Sequence, residues 1–222
     1  MKVSHGIRGE NVRRTASIIC GGPSALDAEN VRGLVIAADR GLEFALAAGI
    51  TPDIAAGDFD SSHIMPPEGM ERVRVPAEKD VTDAWLAAEI AIERGCTELR
   101  FFCALGGRAD HSAANLQMLY SLRMRGIRAE IFGERERIFL LRDETAWIER
   151  FDGYLSVFAF GGNAVASETG VKYPLDRAEL FPYYPLGVSN EVSAPIAEIT
   201  AHSGTLMVMT VTERPDRERA EK

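Results

Sequence analysis

Through the first 132 residues, short apolar runs alternate with helical patterns, and most of the runs stop on glycine or aspartate. The runs cover residues 16–20, 34–38, 53–56, 99–105 and 129–132, most only four or five residues long, and a further short strand is expected near 72–75 within a proline-bearing loop. The helical patterns cover 42–48, 81–94 and 110–125, followed by Gly49, Gly95 and Gly126, the residue type that ends helices. Continuous apolar runs alternating with helices predict a parallel sheet covered on both faces.

The pattern changes near 133–137. Short β runs follow at 137–141, 146–148, 154–159, 196–201 and 205–210, separated by turn residues, with no helix expected beyond a turn near 176–180. The fold class expected is therefore α/β: an N-terminal Rossmann-like parallel sheet domain (16–135) joined to a C-terminal antiparallel β-sandwich domain (136–212). Residues 1–15 are polar and mildly basic and read as a loose leader; 213–222 form a charged tail. Apolar residues make up 46% of the chain, which is enough for a core. A formal net charge of −8 opposes a role as a general nucleic-acid binder. No apolar run approaches the ~20 residues that cross a bilayer, and the first residues carry no signal-peptide core. Cys20, Cys96 and Cys103 match no zinc pattern and suggest reduced core thiols in a cytoplasmic protein. Trp85 and Trp147 are expected in the core.

Three blocks concentrate the chemistry: Gly57-Asp58-Phe59-Asp60-Ser61, Lys79-Asp80-Val81-Thr82-Asp83, and Gly106-Gly107-Arg108-Ala109-Asp110-His111. Each falls where an apolar run stops, or where a helix starts. In an open parallel sheet the loops beyond the carboxyl ends of the strands hold the ligand. Carboxylates gathered there repel one another unless a cation sits among them. Asp58 and Asp60 could form a simple turn, but two carboxylates flanking an aromatic favour a metal. Asp80 could cap a helix with Asp83 as its partner, and Thr82 could be a first-turn residue. Equally, Asp83 could hold a metal while Lys79 and the helix N-terminus hold phosphate. Asp110 could cap the next helix, with Arg108 offering a planar fork to phosphate; His111 and Asn115 read as structural. Gly21-Gly22-Pro23-Ser24 with Asp39 imitates a dinucleotide fingerprint but lacks its third glycine and carries a proline, so a phosphate or nucleotide loop fits better.

In the second half, Gly170-Val171-Lys172-Tyr173-Pro174-Leu175 and Gly187-Val188-Ser189-Asn190-Glu191 together supply a ring, a hydroxyl and an amide, a set that suits a flat heteroaromatic ligand. Phe181, Tyr183 and Tyr184 could line an interface.

In this order the blocks resemble the thiamine pyrophosphokinase family, over about residues 17–211. The resemblance implies an α/β nucleotide-binding domain joined to a β-sandwich, working as a homodimer. It implies transfer of the pyrophosphoryl group of ATP to the hydroxyethyl oxygen of thiamine, with AMP leaving and Mg2+ required. On this chain, Asp58, Asp60 and Asp83 would hold magnesium, and Asp39 would assist. Lys79, Thr82 and Arg108 would contact phosphates, and Asp110 would orient the substrates. Tyr173, Ser189 and Asn190 would form a thiamine pocket between subunits. Tyr173 stands where some members carry tryptophan. The proton acceptor stays open among Asp60, Asp83 and Asp110. Other readings are a pyrophosphokinase for another heteroaromatic alcohol such as a hydroxymethylpterin, a thiamine- or nucleotide-binding regulator without turnover, and, more distantly, a dehydrogenase.

Overall fold

The computed structural model describes residues 1–6, 14–57, 66–74 and 81–213. The chain divides into two compact units, Asn11–Glu134 and Met1–Glu10 with Arg135–Lys222. Among the described residues seven strand pairings are antiparallel and five parallel, a mixed α/β arrangement with few helices.

The first strand, β1 (Val3–Gly6), corrects the loose-leader reading. It pairs antiparallel with the later segment Thr145–Glu149, with Val3 opposite Ile148, and Glu149 donates its N–H to the Lys2 carbonyl at 3.1 Å. Four residues are too short for a period-two signal. Their order comes from a partner strand distant in sequence.

The unit from Asn11 contains β2 (Thr15–Ile19), β3 (Leu34–Ala38), β4 (Ile54–Gly57), β5 (Glu71–Arg74), β6 (Glu98–Phe102) and β7 (Arg128–Phe132). Their order is β7-β6-β2-β3-β4-β5, and every neighbouring pair among them is parallel. Three helices join them: α1 (Gly41–Ala47), α2 (Asp83–Glu93) and α3 (Ala109–Met124). α1 packs on β2 and β3, α2 on β2, β3 and β4, and α3 on β7 and α2. In α2, Ala84, Ala87, Ala88 and Ala91 recur at helical spacing and are buried, and such small side chains let the helix lie close to the sheet. Ile19, Ala45, Phe102, Cys103 and Phe132 form one buried cluster, with Phe102 and Phe132 stacked at 5.2 Å.

The other unit contains β8 (Glu136–Leu141), β9 (Thr145–Glu149), β10 (Gly153–Ala159), β11 (Ala164–Thr169), β12 (Leu175–Leu180), β13 (Gly187–Asn190), β14 (Ile196–Ser203) and β15 (Leu206–Thr212). One antiparallel layer runs β13-β10-β15-β8 and the other β1-β9-β14-β11-β12. Phe139, Leu141, Leu155, Val157 and Val208 from the first share a core with Ile148, Ala166, Ala197 and Ile199 from the second. The turn expected near 176–180 is strand β12. Its sequence, Leu-Asp-Arg-Ala-Glu-Leu, lacks β-branched residues, and only Leu180 is buried. Pairing to β11 across a register shift, rather than propensity, makes it a strand. Neither tryptophan is fully buried: Trp85 is half-buried at the start of α2, and half-buried Trp147 donates its Nε1–H to Glu198 Oε2 at 3.0 Å.

Candidate active site

Strand registers level the carboxyl ends of the parallel strands. Ile19 lies opposite both Ala37 and Phe102, and Ala38 lies opposite Ala56. The residues that follow, Gly21–Ser24, Asp39 and Cys103–Asp110, therefore emerge along one edge. The chain moves from β2 toward β5 on one side and from β6 to β7 on the other, so strand order reverses between β2 and β6, the position where open sheets form a ligand crevice.

The loops at that reversal are stitched together beyond the strands. Cys20 donates its N–H to the Phe102 carbonyl at 2.9 Å, and Gly22 donates to the Cys103 carbonyl at 2.8 Å. A methyl group on Gly22 would stand 2.5 Å from that same carbonyl oxygen, so only glycine fits. Gly106 and Gly107 both take positive φ, +82° and +66°, and a side chain on either would press against Pro23. Asn115, buried in α3, donates from Nδ2 to the Ala104 carbonyl at 2.7 Å and fixes the loop from below. The hydroxyl of Ser24 is buried without a hydrogen-bond partner among the described residues. Asp39 has a left-handed backbone (φ 49°) and donates its N–H to the Ala56 carbonyl at 2.9 Å, which ties it to the end of β4.

Thr82 caps α2: its hydroxyl accepts the Trp85 N–H at 3.2 Å. Asp83 is the first helical residue, where a negative charge complements the helix dipole. Burial pushes the Cys20 thiol strongly up, and Cys103 and Asp83 add to the shift. Cys103 is likewise raised, to about 11, by burial. All three cysteines are free and buried, so none is a reactive thiolate.

Asp110 does not cap α3. Arg108 occupies the cap position, one residue before the helix, and Asp110 lies inside the first turn. Two bonds join them, Arg108 Nε to Asp110 Oδ1 at 3.1 Å and Nη2 to Oδ2 at 2.6 Å, with the side chains 72% and 62% exposed. The Arg108 hydrogen bond holds the Asp110 carboxyl below its ordinary range, with help from the His111 N–H.

In the antiparallel unit, segments 170–174 and 190–194 zip together. Lys172 donates its N–H to the Glu191 carbonyl at 2.9 Å, and Ser193 and Ala194 donate to the Gly170 carbonyl at 2.9 and 3.0 Å. Tyr173 is 62% exposed, with the Lys172 ammonium 5.6 Å from its ring centre. Lys172 also pairs with Glu191 at 2.7 Å. Ser189 is exposed and held at a positive φ of 57°, a strained conformation for a non-glycine residue. Its N–H donates to Ser156 Oγ at 3.0 Å.

Asn190 behaves differently from its expected role. It is buried, and its amide is fully used. Oδ1 accepts the N–H groups of Tyr173 at 3.0 Å and Glu191 at 2.9 Å, while Nδ2 donates to the Tyr173 carbonyl at 2.9 Å and to Glu168 Oε2 at 3.2 Å. No lone pair or proton remains for a ligand. Glu168 was missed at the sequence level. Alternation with Ala164 and Ala166 in β11 turns it inward, and it is fully buried. Burial pushes its carboxyl up to about 7, against the opposing pull of the Asn190 bond. A raised folded value means its contribution to stability is complete below its ordinary value of 4.5 and fades as pH rises through about 7. On the exposed turn after β12, Phe181 and Tyr183 stack at 5.4 Å.

Asp58, Asp60, Lys79 and Asp80 lie outside the described residues. Among the described residues no three His, Cys, Asp or Glu side chains gather as a metal site, and of the expected magnesium ligands only Asp83 is described. Among these residues, too, no helix is long and apolar enough to cross a membrane.

Glycine-bearing loops gathered at the carboxyl edge of a parallel sheet, where its strand order reverses, are the arrangement in which open α/β sheets bind ligands. The family model for the thiamin pyrophosphokinase catalytic domain matches residues 28–131, and that for the thiamin pyrophosphokinase vitamin B1 binding domain matches 142–206. The chain is 30% identical over 213 residues to the thiamine pyrophosphokinase of Bacillus subtilis, covering 90% of this chain and 100% of that protein. A crystal structure of the Bacillus subtilis enzyme superposes with a TM-score of 0.82 at 28% identity, covering 90% of this chain and 100% of that one. The thiamin pyrophosphokinase of Geobacillus thermodenitrificans gives 0.75 at 28% identity, over 90% and 98%. The chain belongs to the thiamine pyrophosphokinase family.

Proposed function

We propose that this enzyme moves the pyrophosphoryl group of ATP onto the hydroxyethyl oxygen of thiamine, giving thiamine diphosphate and AMP. The observation that carries the reading is the levelled edge at the β2/β6 reversal, where Gly21–Ser24, Asp39 and Gly106–Asp110 emerge together. In this reading residues 16–135 form a Rossmann-like nucleotide domain and residues 136–212 a thiamine-binding sandwich. The protein works as a cytoplasmic homodimer.

Asp58 and Asp60 follow Gly57, the last residue of β4, by one and three positions, and with Asp83 they offer an all-carboxylate oxygen set. That set suits Mg2+, which when bound neutralises phosphate charge. Lys79 and Thr82 join the phosphates at the α2 N-terminus, and Asp39 assists on the next strand. Arg108 stabilises charge on the transferred group, held in its fork geometry by Asp110. Asp110, whose two carboxylate oxygens are engaged by Arg108, is assigned orientation, and proton acceptance is left to Asp60 or Asp83. Tyr173 and Ser189 face thiamine; Asn190 acts from beneath, because its amide is saturated.

AMP release measured with ATP, thiamine and Mg2+, then with each omitted, tests the reaction. Release that depends on all three is expected. Equal turnover of a hydroxymethylpterin would replace thiamine as the substrate, and thiamine binding without AMP would make the chain a regulator. Arg108→Ala is expected to lower turnover about 10²–10³-fold, as for loss of one preorganised donor. Its melting temperature should not move, because the Arg108–Asp110 pair is exposed. Unchanged turnover would remove Arg108 from the site.

A further inference from the structure

We propose that Glu168 is a positioning residue for thiamine binding, acting through Asn190 on the loop that carries Tyr173. The proposal rests on the reading of Tyr173 as a thiamine contact.

The linkage is continuous. Glu168 lies on β11 opposite Ile199 of β14 and Leu175 of β12, next to the register shift between Ala166 and Glu168. A bulge of this kind re-aims a side chain. Its Oε2 accepts from Asn190 Nδ2 at 3.2 Å, and its Oε1 has no partner among the described residues. Asn190 in turn holds both backbone polar groups of Tyr173, the N–H at 3.0 Å and the carbonyl at 2.9 Å. An amide with four bonds in fixed directions has one orientation. Removing Glu168 leaves a buried N–H of Asn190 unpaired, and the cheapest relief is for Asn190 to turn or for the loop to part, since buried donors are rarely left unmet. Either movement shifts Tyr173, whose ring is exposed, with the Lys172 ammonium over its face. A carboxyl buried in an apolar sandwich is poor value as a stability device. Its single hydrogen bond goes to the one side chain that organises the substrate-side loop. At neutral pH its raised acidity range leaves it partly protonated, and Oε2 accepts from Asn190 in either form.

The test uses full-length Glu168→Met, Glu168→Gln, Asn190→Ala and Tyr173→Ala proteins. For Glu168→Met, the KM for thiamine should rise about tenfold, the equivalent of one buried hydrogen bond, with kcat and the KM for ATP close to the parent. Backbone amide exchange at Tyr173 and Glu191 should accelerate. Glu168→Gln keeps the acceptor and the volume and should restore both readouts. Unchanged exchange in folded Glu168→Met overturns the proposal, as does a tenfold KM rise in Glu168→Gln. Faster exchange with an unchanged thiamine KM also overturns it, provided Tyr173→Ala does raise that KM. If Tyr173→Ala leaves the KM unchanged, the Tyr173 reading is what fails. Should Glu168→Met not fold, Asn190→Ala cuts the same link from its other side. Equal loss of affinity for thiamine and ATP there would reduce the link to general stability and refute the proposal.

Discussion

Asp83→Ala protein is expected to release AMP at least about 10²–10³-fold more slowly than the parent, the scale on which one preorganised electrostatic group in a reaction centre counts. It should nevertheless unfold at nearly the same temperature. The two halves of this expectation have separate causes. Turnover is expected to depend on Asp83 because it brings a carboxylate to the N-terminus of α2, a helix that packs on β2, β3 and β4. Asp58 and Asp60 follow β4, two strands from β2 in the same sheet. Stability should hold because the helix keeps its cap. Thr82 still accepts the Trp85 N–H, and the buried alanine face of α2 is untouched. The lost interaction with the helix dipole contributes about 0.3–1 kcal/mol. AMP release under saturating ATP, thiamine and Mg2+, set beside a melting curve, is the measurement. Near-normal AMP release with an unchanged melting curve would sink the assignment.

The parallel-sheet half was legible because buried strands advertise themselves. Val35, Ile36, Ile54, Phe101 and Ile131 sit in continuous apolar runs, and a turn residue ends most of them. The antiparallel half was less legible where strands are narrow or polar. β11 went unseen because its inward positions hold alanines and a carboxyl rather than branched side chains, β12 and β13 because they are short and largely polar, and β1 because four residues carry no period-two signal. The site shows the same contrast. Motif order singled out Asp83, Arg108 and Tyr173 as candidates, whereas their local chemistry needed coordinates. Asp110 proved an ion-pair partner in place of a cap, Thr82 proved the cap of α2, and the Asn190 amide proved to be bonded to Tyr173, Glu191 and Glu168. Glu168 could have been found. A glutamate in phase with Ala164 and Ala166 on a strand must face inward.

Gly22→Ala should lower both stability and nucleotide handling, which makes it the sharpest probe of the β2/β6 crossing. The glycine is not needed for a left-handed turn; it is needed for space. Its N–H bonds the Cys103 carbonyl at 2.8 Å, and a methyl group would be 2.5 Å from that oxygen and 3.2 Å from the Leu105 oxygen. These obstacles are backbone atoms, so no rotamer change relieves the clash and the two loops must separate. Overpacking of this kind costs about 1–3 kcal/mol. For a chain of this size that lowers the melting temperature by about 2–12 °C. Separation also carries Pro23 away from Gly106 and Gly107, which it contacts across the crevice, and with it the backbone that would receive phosphate. The KM for ATP should therefore rise more than the KM for thiamine. Gly21→Ala is the control: its added methyl would approach only the Arg40 side-chain Cβ, at 3.2 Å, so a few tenths of an ångström of give should absorb it. Equal effects from the two substitutions would mean that the loops are not held together at Gly22. A Gly22→Ala protein with parental ATP affinity would take the nucleotide away from this edge of the sheet.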